Sequence, residues 1–331
     1  MGEIRMETVE KKERNTYMDV AKAIALLAVI MGHIWKEPEV RRVLYAFHLP
    51  MFFMVSGYFF RYTPDWKVFL KKKAKGYLIP YLSCALVITL YLTGYYDWNG
   101  DFFRGCIKLF LIQKRYTTLW FLTALFLGVL IFEVICAHTK EDEVGILVLS
   151  ILLSLAGMAY GICVGGEPYW NIDVACVIQI YLAAGYLCRR HAILEKVVTK
   201  PILHWSCMLL CFLVMGLCIW VNWEVTGEYY ELFHNQHCIP LVTVLGALTG
   251  SFGVWCLSYF LRNMRVLQYL GKNTMLYFAF HQSIAMVMGK DLLGQFGMGK
   301  NNYVMFLFVM CFCFLCDQIV TRTPLRFMAG K

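Results

Sequence analysis

The most restrictive feature of this sequence is a series of apolar segments, each near the roughly 20 residues that a helix needs to cross a bilayer. Hydrophobic residues make up 60% of the 331 residues and charged residues only 16%, whereas soluble proteins have about 25% charged residues. The sequence therefore predicts an all-α, polytopic membrane protein with about ten transmembrane helices. The ten segments are at residues 17–35, 43–60, 77–95, 118–137, 144–163, 172–188, 203–223, 239–261, 273–289 and 303–320.

The distribution of lysine and arginine predicts how these segments are oriented. If all ten cross the membrane, one set of alternate connections carries more than twice as many basic residues as the other. Because positive residues favour the cytoplasmic side, both termini are predicted to be cytoplasmic. The formal net charge of +9 then reflects topology, and nucleic acid is not an expected partner.

The connections leave no room for a separate soluble domain. Residues 102–113 mix basic and apolar side chains, and we interpret them as an interfacial amphipathic helix rather than an eleventh span. Most of the 14 cysteines fall in apolar runs, where they behave as small hydrophobes. The predicted division is a cytoplasmic N-terminal tail at 1–16, one transmembrane domain at 17–320 and a cytoplasmic C-terminal tail at 321–331.

The first apolar segment carries three ionisable residues, Asp19, Lys22 and His33. Such groups are costly inside a bilayer unless they pair or face a polar cavity. On a helix, eleven residues separate Lys22 from His33 by roughly 16 Å, and both side chains point to about the same face. The pattern favours a polar slot running into the membrane. The alternative is a lysine that snorkels to one interface and a histidine hydrogen-bonded at the other.

Three further groups of polar residues interrupt the apolar pattern. Ser56, which follows His48 in the second segment, provides either a polar wall or, with the next glycine, a close helix contact. The lysines at 71, 72, 73 and 75 form either a cytoplasmic anchor or a grip for phosphates. Asn273 opens the ninth segment, and His281 lies about two turns further along a helix.

Two connections on the predicted external side, around 96–117 and 224–238, are rich in aromatic and polar residues. Such residues suit sugar rings, and they equally suit the aromatic belt at a membrane interface. His234, His237 and Cys238 have a spacing that metal ligands can share. Because no fourth ligand is recognisable, an ordinary loop is the favoured interpretation and no metal is expected.

Together these residues suggest a donor with a phosphorylated head, such as acyl-coenzyme A. Lysines at the cytoplasmic mouth suit its phosphates, and its long thin arm could carry a thioester towards the histidines. His33 could then act as a general base towards an acceptor hydroxyl, which requires hydrogen-bond reach. The alternatives are a transporter or flippase that uses the buried charges as a relay, and a ligand-binding sensory module.

Five motifs run in order along nearly the whole chain: Arg14 to Ala23 followed by Gly32-His33, Phe47 to Tyr58, Lys72 to Lys75, Leu119-Trp120-Phe121-Leu122, and Leu270 to Thr274 continuing to His281. Their order and spacing resemble the integral-membrane acyltransferase family 3, and within it the fucose 4-O-acetylases and related sugar O-acetyltransferases. Lys22 stands where the family usually has an arginine, and lysines also replace its paired arginines near Lys72. The charge is kept and the guanidinium fork is lost.

The resemblance implies a roughly ten-helix bundle that moves an acyl group, commonly acetyl from acetyl-coenzyme A, onto a carbohydrate hydroxyl. It implies that His33 is the catalytic histidine, Lys22 its basic partner, and that Lys72 and Lys75 face the donor phosphates. The expected site is then catalytic His33, Lys22 and Asp19; donor-binding Lys72, Lys75, Ser56 and Trp120; and acceptor-binding or supporting His48, His281 and Asn273.

We therefore expect a multi-pass O-acyltransferase of the bacterial inner membrane that modifies a sugar or cell-envelope glycan. Its expected partners are acyl-coenzyme A as co-substrate, the glycan acceptor and the lipid bilayer. No permanently bound cofactor is expected. The sequence leaves open the acceptor, the length of the acyl chain, direct transfer or an acyl-enzyme, and whether the chain forms a homodimer.

Overall fold

The computed structural model describes residues 15–96, 104, 105, 107, 108, 112 and 117–331. These residues form helices joined by short connections, and the described chain has one isolated β-bridge, between Glu231 and Gln236. The predicted all-α class is confirmed. Residues 1–14 of the predicted N-terminal tail and most of the predicted amphipathic helix at 102–113 lie outside the described residues.

The α-helices are α1 (Thr16–Ile34), α2 (Pro38–Tyr45), α3 (His48–Tyr58), α4 (Trp66–Lys73), α5 (Ile79–Tyr96), α6 (Trp120–Thr139), α7 (Glu143–Cys163), α8 (Ile172–Val177), α9 (Gln179–Arg190), α10 (Ile193–Val198), α11 (Pro201–Thr226), α12 (Pro240–Phe260), α13 (Arg265–Lys272), α14 (Thr274–Phe280), α15 (Val287–Gln295) and α16 (Asn302–Thr321). Ala74–Leu78 and His281–Met286 are π-helical. Short 3-10 helices are formed by Tyr169–Asn171, Leu232–His234 and Pro324–Ala329.

Seven helices of the described chain are long and apolar enough to cross a membrane. An eighth span results if Tyr169–Val177 and Gln179–Arg190, which meet at an angle of 51°, count as one. The chain is therefore a multi-pass membrane protein. The seven are Thr16–Ile34, Trp66–Gly94, Trp120–Thr139, Glu143–Cys163, Pro201–Thr226, Pro240–Phe260 and Asn302–Thr321.

Three of the ten predicted segments, 43–60, 273–289 and 172–188, do not form one long unbroken helix, and the last is the one that bends by 51° between Val177 and Gln179. In the first, α2 ends at Tyr45 and the 11-residue α3 begins at His48. Pro50 lies in the first turn of α3 and lacks the N–H that an interior position needs, so a helix continuing from α2 would be interrupted here. In the second, the π-helical stretch between α14 and α15 replaces regular α-helical hydrogen bonding.

Helix α1 lies in the interior of the bundle, where it packs against α2, α3, α12, α13, α14 and α16. Several of its buried residues are alanines, and small side chains let membrane helices approach closely. At Gly271 of α13 the approach is so close that an added Cβ would overlap the carbonyl oxygen of Asp19. This contact fixes the first turns of α1 against α13.

Helices α3 and α9 cross at two glycines that face each other's backbone. An added Cβ on Gly57 would overlap the carbonyl oxygen of Leu182, and one on Gly185 would overlap that of Met54. Glycine at both positions is therefore required for this interhelical distance. The crossing holds α3, and with it His48 at the start of the helix, against the rest of the bundle.

Replacing either of these glycines by alanine is expected to destabilise the protein. Gly57→Ala and Gly185→Ala each force a methyl group into a neighbouring backbone, and such overpacking costs about 1–3 kcal/mol or more. The measurement is the apparent melting temperature of detergent-purified protein, followed by tryptophan fluorescence. Gly216→Ala in α11 is the matched control, since its added Cβ would meet nothing within 4 Å, and its melting temperature should not fall. Equal melting temperatures for all three variants would contradict the crossing.

Candidate active site

A cavity of about 480 Å³ lies at the end of the bundle where α1 ends. His33 contributes to its wall from the last turn of α1, and His48 contributes from the first turn of α3. Aromatic, cationic and neutral polar groups therefore share one partly enclosed space, as in many ligand sites. The other parts of the wall are Arg41 and Tyr45 of α2, Trp120 at the start of α6, the connection at 231–234 and side chains from residues 278–290.

His33 and His281 come together at the wall of this cavity, although they lie on the first span and on a late segment. Their ring centroids are 5.1 Å apart, with the rings tilted by 46°. His33 is half-buried and lines the cavity, whereas His281 is fully buried behind it. The structure thus brings together two of the predicted site residues, His33 and His281.

The hydrogen bonds of His281 define its tautomer. Its Nδ1 lies 3.0 Å from the carbonyl oxygen of Tyr277 and 2.9 Å from that of Phe278. Because carbonyl oxygens can only accept, Nδ1 carries the proton and donates it. Nε2 then has a free lone pair, and within the described chain this buried nitrogen has no hydrogen-bond partner. The His281 ring can therefore accept a hydrogen bond from the neighbouring His33.

His48 is likewise held in one tautomer. Its Nδ1 donates to the carbonyl oxygen of Leu44 at 2.7 Å, which leaves Nε2 as an accepting nitrogen. The ring packs 4.8 Å from the ring of Tyr45, measured between centroids. Since His48 also lines the cavity, it can accept a hydrogen bond from a ligand hydroxyl.

The carbonyl oxygen of Gly32, next to His33 in sequence, accepts two side-chain hydrogen bonds. Arg41 Nε donates to it at 3.1 Å and the Tyr45 hydroxyl donates at 3.2 Å. A terminal nitrogen of Arg41 also donates to the hydroxyl of Tyr229 at 3.4 Å. Arg41 therefore ties α2 both to the end of α1 and to the connection between α11 and α12.

A buried set of hydrogen bonds holds the connection between α11 and α12 on the bundle. The Asn235 amide nitrogen donates to Asp173 Oδ2 at 3.1 Å and to the carbonyl oxygen of Gly157 at 3.0 Å. The Asn235 amide oxygen accepts from His237 Nε2 at 2.6 Å. His237 is buried in this set, whereas His234 is exposed and lines the cavity. No group of three or more metal-ligating side chains is found among the residues that the structure describes.

Lys22 and Asp19 lie away from this cavity. Lys22 Nζ is 2.9 Å from Asp19 Oδ1 near the start of α1. Between Lys22 and His33, Val29 lines the cavity, but Leu26 is fully buried in the apolar core. The expected polar slot is thus interrupted by packed aliphatic side chains, and the open space reaches about one turn below His33.

The predicted donor-binding residues are dispersed rather than gathered. Trp120 lines the cavity beside His33, whereas Lys72 and Lys75 are exposed at the end of α4 and in the following π-helical segment. Ser56 Oγ donates to the carbonyl oxygen of Phe52 at 2.8 Å, so its hydroxyl is satisfied within α3. These four side chains do not form one site in the structure.

Asn273 lies at the same end of the bundle as Asp19, since it follows Gly271 by two residues. Its amide nitrogen donates to the carbonyl oxygen of Tyr269 at 3.0 Å, and its amide oxygen accepts from Lys331. Residues 324–329 pack on α5 and α16. Asn273 thus helps to hold the predicted C-terminal tail against the bundle.

Four charged residues among the described lining of the cavity are not among the predicted site residues: Lys36, Arg41, Glu231 and Lys290. A signal was available, because three of them are basic residues on the predicted external side, where the positive-inside rule disfavours them. These three basic residues each lie within nine positions of His33, His48 or His281 in the sequence, which is a further indication that they belong to the same end of the bundle.

Comparisons with known proteins cover nearly the whole chain. Residues 15–319 match the family model for the acyltransferase domain, Acyl_transf_3. Nodulation protein NolL of Sinorhizobium fredii is 22% identical over 327 residues, an alignment that covers 88% of this chain and 83% of NolL. No solved structure matches the chain at a significant level.

The buried His237 is expected to make the connection at 227–239 less stable in acid. Burial lowers the pKa of His237 from 6.5 to about 4, so between these values the unfolded chain binds a proton that the folded chain does not. Stability should therefore rise with pH across this window, and lowering the pH from 7.5 to 5 should cost about 2 kcal/mol.

The measurement is the difference in melting temperature between the two pH values. His237→Gln, which cannot titrate, should show a smaller difference than the unaltered protein. An equal difference in both would show that His237 does not contribute.

Proposed function

Because the chain belongs to acyltransferase family 3 and is thus a membrane acyltransferase, we propose that it transfers an acyl group, acetyl from acetyl-coenzyme A, to a hydroxyl of a sugar or cell-envelope glycan. The observation that carries this proposal is the placement of His33 at a ligand-sized cavity, with the accepting nitrogen of His281 behind it. We propose the bacterial inner membrane as its location, where cytoplasmic acetyl-coenzyme A is available.

In the proposed reaction, His33 removes the proton of the acceptor hydroxyl as the oxygen attacks the thioester carbonyl. The carbon–sulfur bond then breaks, and coenzyme A leaves as a thiolate that takes the proton from His33. The products are an O-acyl ester and free coenzyme A thiol. No permanently bound cofactor is needed for this sequence of steps.

His281 serves as a positioning residue in this proposal. When a His33 N–H donates to His281 Nε2, the other His33 nitrogen keeps its lone pair for the acceptor hydroxyl. The two backbone carbonyls at Tyr277 and Phe278 prevent His281 from turning its own N–H towards His33. His48 can accept a second hydrogen bond from the acceptor, since its Nε2 is left free by the bond to Leu44.

The donor is proposed to enter from the opposite end of α1. Lys22, ion-paired with Asp19, supplies a positive charge within the bundle, and the exposed Lys72 and Lys75 supply charges near the start of the Trp66–Gly94 span. Phosphates are well matched by such point charges. Trp120 and the apolar wall near Val29 would then face the acyl end of the donor.

His33→Ala is expected to abolish most of the transfer. Loss of a general base lowers kcat by about 10²–10⁴-fold. The assay measures free thiol released from acetyl-coenzyme A in the presence of membrane glycan extract, with purified, folded protein. His138→Ala is the matched control, since this exposed histidine lies at the end of α6 opposite to Trp120, which lines the cavity.

Near-normal turnover of His33→Ala would remove His33 from the mechanism. Activity lost equally in the His138 control would indicate general damage to the protein. A transporter or flippase would instead move substrate without any release of thiol from acetyl-coenzyme A.

Lys22→Arg is expected to retain more activity than Lys22→Ala. Arginine keeps a positive charge beside Asp19, whereas alanine removes the cation that lies 2.9 Å from the Asp19 carboxylate. Lys22→Ala should lower kcat/KM for acetyl-coenzyme A by about tenfold or more, corresponding to a lost charge-assisted bond. Steady-state kinetics with varied acetyl-coenzyme A provide the measurement, and Lys200→Ala, at an exposed position, serves as control. Equal losses in the two Lys22 variants would argue against a role for charge.

A further inference from the structure

Positive charge is concentrated around the cavity at the His33 end of α1. Lys36, Arg41 and Lys290 line it, and Glu231 is the only carboxylate among the lining residues that the structure describes. Within the described chain, none of the three cations is ion-paired with a carboxylate. Among the described residues of its wall, the cavity therefore carries more positive than negative charge.

A second open space of about 400 Å³ continues from the first. The two share His33, Lys36 and Lys290 in their walls, and the second adds Lys300 and Glu37. In the described walls of the two spaces together, cations still outnumber carboxylates. An anionic ligand that reaches His33 from this side would pass between Lys36 and Lys290.

Arg41 is held so that it can bind an anion without first being ordered. Its Nε is fixed on the Gly32 carbonyl oxygen and a terminal nitrogen on the Tyr229 hydroxyl, and its guanidinium carbon lies 5.8 Å from the centre of the Tyr45 ring. A guanidinium has five N–H donors, so further donors are left for a ligand. A preorganised arginine loses less side-chain entropy when it binds a carboxylate or a phosphate.

The remaining wall of the cavity suits a sugar. Trp120 and Tyr45 provide aromatic surface, and Gln282, Ser283 and His48 provide hydrogen-bonding groups for hydroxyls. A ligand that uses these groups together with the three cations combines a carbohydrate ring with negative charge.

We propose that the acceptor is an anionic glycan, whose carboxylate or phosphate is bound by Arg41, Lys36 and Lys290 while a neighbouring hydroxyl faces His33. This inference rests on the proposed function and specifies its acceptor class. The other source of such anions is the donor, whose phosphates would have to reach the same cavity. The geometry favours the acceptor, because Lys22, Lys72 and Lys75 lie outside the lining of this cavity and are available to the donor.

The test compares oligomers of galacturonic acid with the same oligomers converted to neutral carboxamides. Binding to the detergent-purified, full-length protein is measured by calorimetry at low and high salt, and acetyl-coenzyme A binding is measured in parallel. The variant Lys36→Gln/Lys290→Gln alters two exposed side chains, so folding should be preserved. Lys200→Gln is the control for loss of charge elsewhere.

The acidic oligomer is expected to bind the unaltered protein at least about tenfold more tightly than the carboxamide, with an affinity that falls as salt rises. The double variant should lose most of this preference, and its affinity for acetyl-coenzyme A should change by less than about twofold, since charged hydrogen bonds to the donor are left intact. Equal binding of acidic and neutral oligomers by the unaltered protein would overturn the proposal. The proposal would also be overturned if the double variant bound acetyl-coenzyme A more weakly but kept its preference for the acidic oligomer. That result would assign the cations to the donor.

A transfer assay on the same samples separates this proposal from the proposed function. If acidic oligomers bind selectively but no acyl group is transferred to any glycan fraction, the proposed function fails and the anion site stands. If thiol release proceeds equally well with neutral glycan fractions and with acidic ones, the acyltransferase stands and the anionic acceptor is refuted.

Discussion

Close backbone packing of α1 against its neighbours determines where every other part of the site can lie. At one end, Gly271 allows α13 to rest on the carbonyl of Asp19. At the other end, Arg41 and Tyr45 of α2 both bond to the carbonyl of Gly32. The helix is thus held at both ends, and the ammonium of Lys22 and the imidazole of His33 are kept roughly 16 Å apart along its axis. The two groups can serve one reaction only through a ligand that spans this distance.

Apolar run lengths were sufficient to predict the fold class and most of the spans, because the bilayer imposes a length and a composition on each crossing. They were insufficient at 172–188, where the chain bends by 51°, and at 43–60 and 273–289. Hydropathy does not register the new helix that begins at His48 with Pro50 in its first turn, and it does not register the change from α-helical to π-helical hydrogen bonding at His281. Both irregularities occur beside histidines of the cavity, and π-helical turns are frequent at functional sites.

The site was predictable in part, for a physical reason. A buried ionisable group is recognisable from sequence because a membrane makes it costly, and His33, His48 and His281 were found on that ground. Helical spacing indicates which face a residue occupies, but it does not show whether space exists beside that face. In the structure the cavity ends near Val29, because the side chain of Leu26, one helical turn before Val29, is packed in the apolar core. The basic residues on the predicted external side pointed to this end of the bundle, but they did not show that Lys36, Arg41 and Lys290 share one cavity. That shared location depends on how α2 and the π-helical segment His281–Met286 pack against α1, and on how α15 follows that segment.

The packed Leu26 changes how the proposed reaction has to be understood. A continuous hydrated passage from Lys22 to His33 would expose the thioester to water and permit its hydrolysis. Tightly packed aliphatic side chains exclude that water, at the cost that the acyl arm of the donor must displace or pass them to reach His33. A leucine side chain can change rotamer to let a narrow chain pass, whereas the glycine contacts at Gly57, Gly185 and Gly271 cannot widen without separating the helices. The donor arm is therefore expected to move side chains along α1 rather than the helix itself, which keeps His33 in register with His281 while the acyl group arrives.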